Sequence, residues 1–143
     1  MKKIVLFFVA LFLVNSAFAL NFILVNSNDK FDMVVTYYIS QHWTASGPFT
    51  ATIKAKKTAT DKNYITISSD INSMIEIISA VEKDEMGNVI SSGTFSDTAG
   101  YNTGCKALNN SLNNNENKII AFDDMKQSPY IMCVQSYPDN YSN

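Results

Sequence analysis

The sequence predicts an all-β protein, an antiparallel β-sandwich with an immunoglobulin-like outline and about eight strands. Two observations predict this fold. From residue 20 onward, short segments rich in β-branched and aromatic residues alternate apolar with polar positions, and clusters of Ser, Asn, Asp, Gly and Thr separate them. The same stretch of chain shows almost no helical periodicity. A small β-barrel satisfies the same pattern and is the alternative fold.

The clearest strand signals come from two neighbouring segments. Residues 49–55 alternate without a fault, so Phe49 and Ile53 are expected to face the core. Residues 32–40 carry apolar or aromatic side chains on both faces, which predicts a more central strand.

Six further strands are predicted from shorter runs of the same kind, at residues 20–26, 64–68, 74–82, 88–95, 118–122 and 130–135. Gly87 and Asn88 tolerate a left-handed backbone, so the strands on either side of them are expected to pair as an antiparallel hairpin. Residues 97–117 are rich in Gly, Asn, Ser and Thr. They predict a long loop, with at most one helical turn around Leu108.

The N-terminal segment has the parts of a secretory signal peptide in order. Two lysines follow Met1, residues 4–14 are an unbroken apolar run, and Ala-Phe-Ala ends at Ala19. The run is shorter than the ~20 residues that cross a membrane. We expect cleavage after residues 1–19 and export to the periplasm or the medium, with no membrane insertion of the mature chain. The mature chain is expected to be soluble, with one domain over residues 20–135 and a flexible tail at 136–143.

The charge of the mature chain disfavours nucleic acid as a partner. Without Lys2 and Lys3, nine Lys residues face thirteen Asp and Glu, a net charge of −4, and the chain has no Arg. Phosphate recognition depends on clustered cations and favours Arg. The one local cluster is Lys54, Lys56 and Lys57. We interpret it as a solvated strand edge, since edge lysines oppose sheet-to-sheet aggregation.

The two cysteines, Cys105 and Cys133, predict a disulfide. An even pair in an oxidising compartment is typically bonded. The alternative is a metal-binding or catalytic thiol pair, but the spacing is not CxxC and the sole His lies far upstream. The sole Trp also precedes both cysteines, whereas immunoglobulin domains place a Trp between them, so the predicted likeness concerns outline only.

The residues offer little catalytic chemistry. His42 is the only imidazole, and no Ser lies in a G-x-S-x-G motif. The adjacent acids Asp84–Glu85 and Asp123–Asp124 are expected to diverge and to be solvated rather than to act as an acid and base pair. No D-x-D-x-D-G calcium loop occurs, and zinc needs more soft ligands than one His and two bonded Cys supply. We therefore expect no enzymatic activity, no cofactor and no metal.

One segment stands out as a candidate ligand-binding site, the predicted loop at residues 41–48. It brings His42 and Trp43 together with a Gly-Pro breaker. An exposed Trp offers a flat face for stacking on a sugar or an aromatic group. The alternative is that Trp43 caps the open end of the sandwich as part of the core, because large aromatics are usually mostly buried.

These observations favour a non-enzymatic exported module that binds a protein or glycan ligand. The alternative is a structural or assembly subunit, in which a strand such as residues 20–25 pairs with the open sheet edge of a neighbouring copy. The sequence names neither the ligand nor the partner.

Overall fold

The computed structural model describes residues 20–95, 105–109, 117–124 and 131–136. The predicted signal peptide, and the predicted tail beyond residue 136, lie outside these ranges. The described residues form nine strands: β1 (Leu20–Asn26), β2 (Asp32–Gln41), β3 (Thr44–Ile53), β4 (Tyr64–Ser69), β5 (Ser73–Lys83), β6 (Val89–Thr94), β7 (Cys105–Asn109), β8 (Lys118–Asp124) and β9 (Ile131–Ser136).

The strands form two sheets. Sheet I has the order β4-β1-β8-β9, and sheet II has the order β3-β2-β5-β6, with β7 also pairing with β5. Neighbours are antiparallel except β1 and β8, which are parallel. Among the described residues each sheet keeps its own edges, so the predicted β-sandwich is confirmed and the closed alternative is not formed.

All eight predicted strands are present. The prediction of a loop over residues 97–117 is wrong for residues 105–109, which form β7, whereas residues 97–104 and 110–116 lie outside the described ranges. β7 pairs with the first half of β5, and Ala107 and Leu108 lie in this strand and not in a helical turn. β7 has only five residues, too few for its alternation of buried Cys105 and exposed Leu108 to be recognised among polar neighbours. The predicted hairpin around Gly87 is confirmed, because β5 and β6 pair antiparallel across it.

The core lies between the sheets and takes the inward residues of both. Alternation along the strands explains its membership, since every second side chain points to the same face. Its buried members are Phe22, Leu24, Met33, Val35, Ile53, Ile75, Ile77, Ala80, Cys105, Ile120, Phe122 and Ile131.

The central strands of sheet I also bury apolar residues on their outer face. Ile23, Val25 and Ile119 form a second buried cluster there, with Tyr64 and Ala121 packed against it. β1 is interior, because β4 occupies one of its edges and β8 the other. Both edges of β1 are thus paired within the chain, and the alternative that residues 20–25 pair with the open sheet edge of a neighbouring copy stays a prediction.

The predicted disulfide between Cys105 and Cys133 is confirmed and buried. It joins β7 of sheet II to β9 of sheet I, with the two Cα atoms 5.9 Å apart. Cys105 is a core residue and Cys133 packs against the core. The bond therefore crosslinks the two layers of the sandwich.

A network of buried amides holds the loop between β1 and β2. Asn26 Nδ2 donates to the carbonyls of Phe31 and Ile53, and its Oδ1 accepts from the N–H of Asn28. The Asn28 side chain in turn donates to Glu82 Oε1, at 2.8 Å. Buried polar groups need such partners. The network fixes the end of the sandwich opposite to the candidate site.

Candidate functional site

His42 and Trp43 lie at one end of the sandwich, which we call the tip end. Two turns of the described residues lie there: residues 41–44, which join β2 to β3, and residues 69–73, which join β4 to β5. The two turns are neighbours, because Gln41 is the register partner of Ser73.

The segment predicted as an eight-residue loop is instead a tight hairpin. β3 begins at Thr44, which pairs with Gln41, so only His42 and Trp43 form the turn. Both have positive φ angles, 48° and 69°. This is the backbone of a type I′ turn, whose twist matches that of the flanking strands. The predicted loop was wrong because the Gly47–Pro48 breaker forms an irregularity within β3 and does not end the strand.

Trp43 projects fully into solvent. Its relative exposure is 104%, the highest among the large apolar side chains of the described residues, and His42 is exposed beside it. The alternative prediction, that Trp43 caps the core, does not match this placement. The hairpin presents an indole ring with both faces accessible.

The hairpin is held firmly below its tip. β2 pairs with β3 on one side and with β5 on the other as far as Gln41. The side chain of Gln41 donates from Nε2 to Asp70 Oδ2 at 2.9 Å, which ties the hairpin to the neighbouring turn. β2 is paired on both sides and β3 on one side, so the hairpin backbone loses little further freedom on binding.

Two aromatic contacts brace the middle of the hairpin. Tyr37 and Phe49 are register partners with ring centroids 5.6 Å apart. Phe49, predicted to face the core, is 41% exposed, because this part of β3 lies in the exposed half of the hairpin. Gly47 has a φ of 125°, and a Cβ there would lie 3.1 Å from the ring of Tyr38, so the ring packs over the glycine.

The tip end and the opposite end differ in charge. The chain carries no Lys, Arg, Asp or Glu from Met33 to Ile53, so the hairpin is formally uncharged with His42 neutral. Asp70 is the acidic residue that the hairpin contacts through a hydrogen bond. At the opposite end, Lys54 pairs with Asp32 at 2.6 Å and Lys57 pairs with Glu85 at 2.9 Å.

The lysine cluster and the turn acids have structural partners. Lys54 and Lys57 are exposed and ion-paired, in agreement with a solvated strand edge. Burial raises the pKa of Asp32, but hydrogen bonds from Lys54 and from the N–H of Ala55, with the lysine charges, outweigh it and lower the pKa overall.

Asp84 closes the turn between β5 and β6. Its Oδ1 accepts from the N–H groups of Met86 and Asn88, and its Oδ2 accepts from Asn88 Nδ2. The side-chain hydrogen bond from Asn88, then the backbone ones, lower the pKa of Asp84. Asp123 and Asp124 are consecutive residues of β8, and the side chain of Asp123 is exposed.

Sequence reasoning missed the contribution of the second turn to the tip end. Asp70 lies there beside Gln41, and Ile71 is 38% exposed. Leu108, 51% exposed, lies on β7 opposite Met74, close to the same end. These residues are distant from Trp43 in sequence. Only the pairing of β2 with β5, which brings the two turns together, relates them to it.

The described part of the chain contains neither a metal-binding cluster nor a membrane-spanning helix. Within those ranges no group of three or more His, Cys, Asp or Glu side chains is placed to hold a metal ion. None of the described segments is a helix long and apolar enough to span a membrane.

Comparison with known proteins gives no family assignment: no family model, no curated protein and no solved structure matches this chain.

Proposed function

We propose that this chain is an exported, non-enzymatic binding module whose contact surface is the tip of the β2–β3 hairpin. The observation that carries the proposal is the pair of residues in the turn. His42 and Trp43 occupy both positive-φ positions, and Trp43 is fully exposed.

The choice of turn residues is costly for the fold. Asn-Gly is the favoured pair in a type I′ turn, because both positions need a left-handed backbone. Bulky residues in that region each cost about 1–2 kcal/mol. An exposed indole contributes no packing energy in return. The turn therefore lowers the stability of the fold while it exposes Trp43 to solvent. This combination is expected when a residue is retained for binding and not for stability.

The composition of the hairpin supports the same proposal. Contact surfaces are enriched in Tyr, Trp and Phe and depleted in Lys, Asp and Glu. The hairpin has Tyr37, Tyr38, Trp43 and Phe49 in a stretch without formal charge. A second exposed apolar group, Met86 with Val89 and Ile90, lies beside the charged end, next to the ion-paired Glu85.

The test replaces the turn by its stable counterpart. The double variant His42→Asn, Trp43→Gly is expected to unfold at a higher temperature than the native protein. It is also expected to lose binding to an envelope extract of the cells that export it. Opposite changes in stability and binding separate a contact residue from a structural one.

Met86→Ala is the matched control, since Met86 is 84% exposed in the other hairpin turn. It should leave binding unchanged. Equal binding by the double variant and the native protein would contradict the proposal.

Export is part of the proposal. The signal-peptide pattern of residues 1–19 and the disulfide support it, because disulfides persist in oxidising compartments. The mass of the secreted form tests it, and a chain that begins at Leu20 is the expected result.

A further inference from the structure

We infer that the tip end takes a neutral glycan, with Trp43 stacking on a sugar ring and Asp70 and Gln41 hydrogen-bonding its hydroxyls. The inference rests on the proposed function and adds the class of ligand to it.

The first argument is the flat ring. Trp combines a large apolar face with one N–H donor, and it suits surfaces that are apolar on one side and wet on the other. A pyranose ring has that character, with C–H groups on its faces and hydroxyls around its rim. Trp43 is exposed at 104%, so no side chain has to move before a ring can lie against it.

The second argument is the polar pair beside the turn. Gln41 Nε2 donates to Asp70 Oδ2 at 2.9 Å, which fixes the orientation of the carboxylate and of the amide carbonyl. A carboxylate accepts several hydrogen bonds, and Gln Oε1 accepts as well. Sugar hydroxyls can donate hydrogen bonds to both of these acceptors. An oriented carboxylate gives stronger hydrogen bonds than a neutral acceptor.

The third argument is the sign of the charge. The hairpin has no Lys or Arg, and its hydrogen-bonded neighbour Asp70 is acidic. Sulfated, phosphorylated or uronic-acid polymers would be repelled by the carboxylate of Asp70, and residues 33–53 have no Lys or Arg to offset this repulsion. A lipid surface would have to desolvate the carboxylate of Asp70. A neutral polyhydroxyl ligand meets neither cost.

The tip is convex, so each contact should be weak. Ligands held in enclosed pockets are buried over most of their surface, and a single exposed ring does not provide this. We expect a Kd on the order of 1 mM for a short oligosaccharide.

The experiment titrates the mature protein with cellohexaose, maltohexaose and the hexamer of N-acetylglucosamine, up to about 10 mM each. The chain has one Trp, so its fluorescence reports on Trp43 alone. We expect a saturable blue shift with at least one of the three. NMR chemical-shift changes confined to Gln41–Thr44 and Ser69–Ser73 should accompany it.

Two variants sharpen the test. Trp43→Ala should abolish the NMR changes, whereas Trp43→Phe should retain part of them, because Phe still offers a stacking face. Asp70→Asn should weaken binding by about tenfold, which corresponds to the loss of a charge-assisted hydrogen bond. Met86→Ala should bind like the native protein.

Three results would overturn the inference. No saturable change with any glycan, while envelope binding still depends on Trp43, would refute the glycan and leave the proposed function standing. An equal fluorescence shift with phosphatidylcholine vesicles would assign the surface to lipid. Glycan binding that survives Trp43→Ala would refute the assigned site together with the proposed function.

Discussion

Removal of the disulfide tests how the two layers of the sandwich are held together. The perturbation is the double substitution Cys105→Ala, Cys133→Ala. The bond closes a loop with a sequence separation of 28 residues between β7 and β9. In the chain-entropy treatment, a loop of this length stabilises the fold by about 3.6 kcal/mol through restriction of the unfolded chain. Alanine is chosen because Cys105 is 2% exposed and a serine hydroxyl would be buried there.

The expected shift of the melting temperature follows from the size of the domain. The unfolding entropy is about 2.1 cal/mol/K per residue over residues 20–143. Dividing the lost free energy by this entropy gives a decrease in Tm of about 14 °C. Thermal unfolding followed by circular dichroism measures it. The native protein in reductant should unfold like the variant, and the variant itself should not respond to reductant.

Binding provides the second measurement on the same variant. The disulfide lies in β7 and β9, whereas the turn at His42 and Trp43 belongs to the β2–β3 hairpin. Ligand binding well below Tm should therefore be unchanged. A Tm loss below about 3 °C would refute the reasoning, because the crosslink would then restrict the unfolded chain far less than its loop length requires.

Three further predictions concern packing, hydrogen bonds and pH. Gly93→Ala should destabilise the fold by about 2 kcal/mol in urea unfolding, because the new Cβ would lie 2.7 Å from the carbonyl oxygen of Ile131. An unchanged free energy of unfolding would contradict this, because it would mean that β6 and β9 move apart at Gly93 without cost. Asn28→Ala should lower the free energy of unfolding by about 3 kcal/mol, since it removes a hydrogen-bond donor from the buried side chain of Glu82. A decrease of less than about 1 kcal/mol would contradict this. The lowered pKa of Asp32 means that its contribution is complete above the ordinary value of 3.8 and is lost as pH falls through the folded pKa. Asp32→Asn should therefore flatten the decline of the urea midpoint below pH 3.8, and an unchanged slope would refute that origin.

The fold was predictable because most strands carry their own signal. Residues 74–82 are rich in β-branched residues and are bounded by turn-forming residues, and the strand predicted there differs from β5, Ser73–Lys83, by one residue at each end. β7 lacks such a signal. Its position depends on pairing with β5 and on the crosslink to β9, which are contacts between distant parts of the chain. Tertiary contacts, and not local pattern, decide the structure of so short a strand.

The candidate site was predictable only in part, and the reason lies in the register of β2 and β3. The sequence singled out His42 and Trp43, but it left open whether Trp43 packs on the core or faces solvent. That choice depends on how far the strands continue beyond Tyr37 and Phe49. An irregularity at Gly47–Pro48 lets the pairing resume at Ser46, so the hairpin closes in two residues.

Closure in two residues removes the alternative for Trp43. A wide loop can fold back and bury a large side chain, whereas a type I′ turn directs its central side chains away from the sheet. The exposure of the indole therefore follows from the extended pairing. The hydrogen bond from Gln41 to Asp70 follows from it as well, since β2 pairs with β5 as far as Ser73. The register of β2 that exposes Trp43 thus also places the hydrogen-bonded pair Gln41 and Asp70 at the same end of the sandwich.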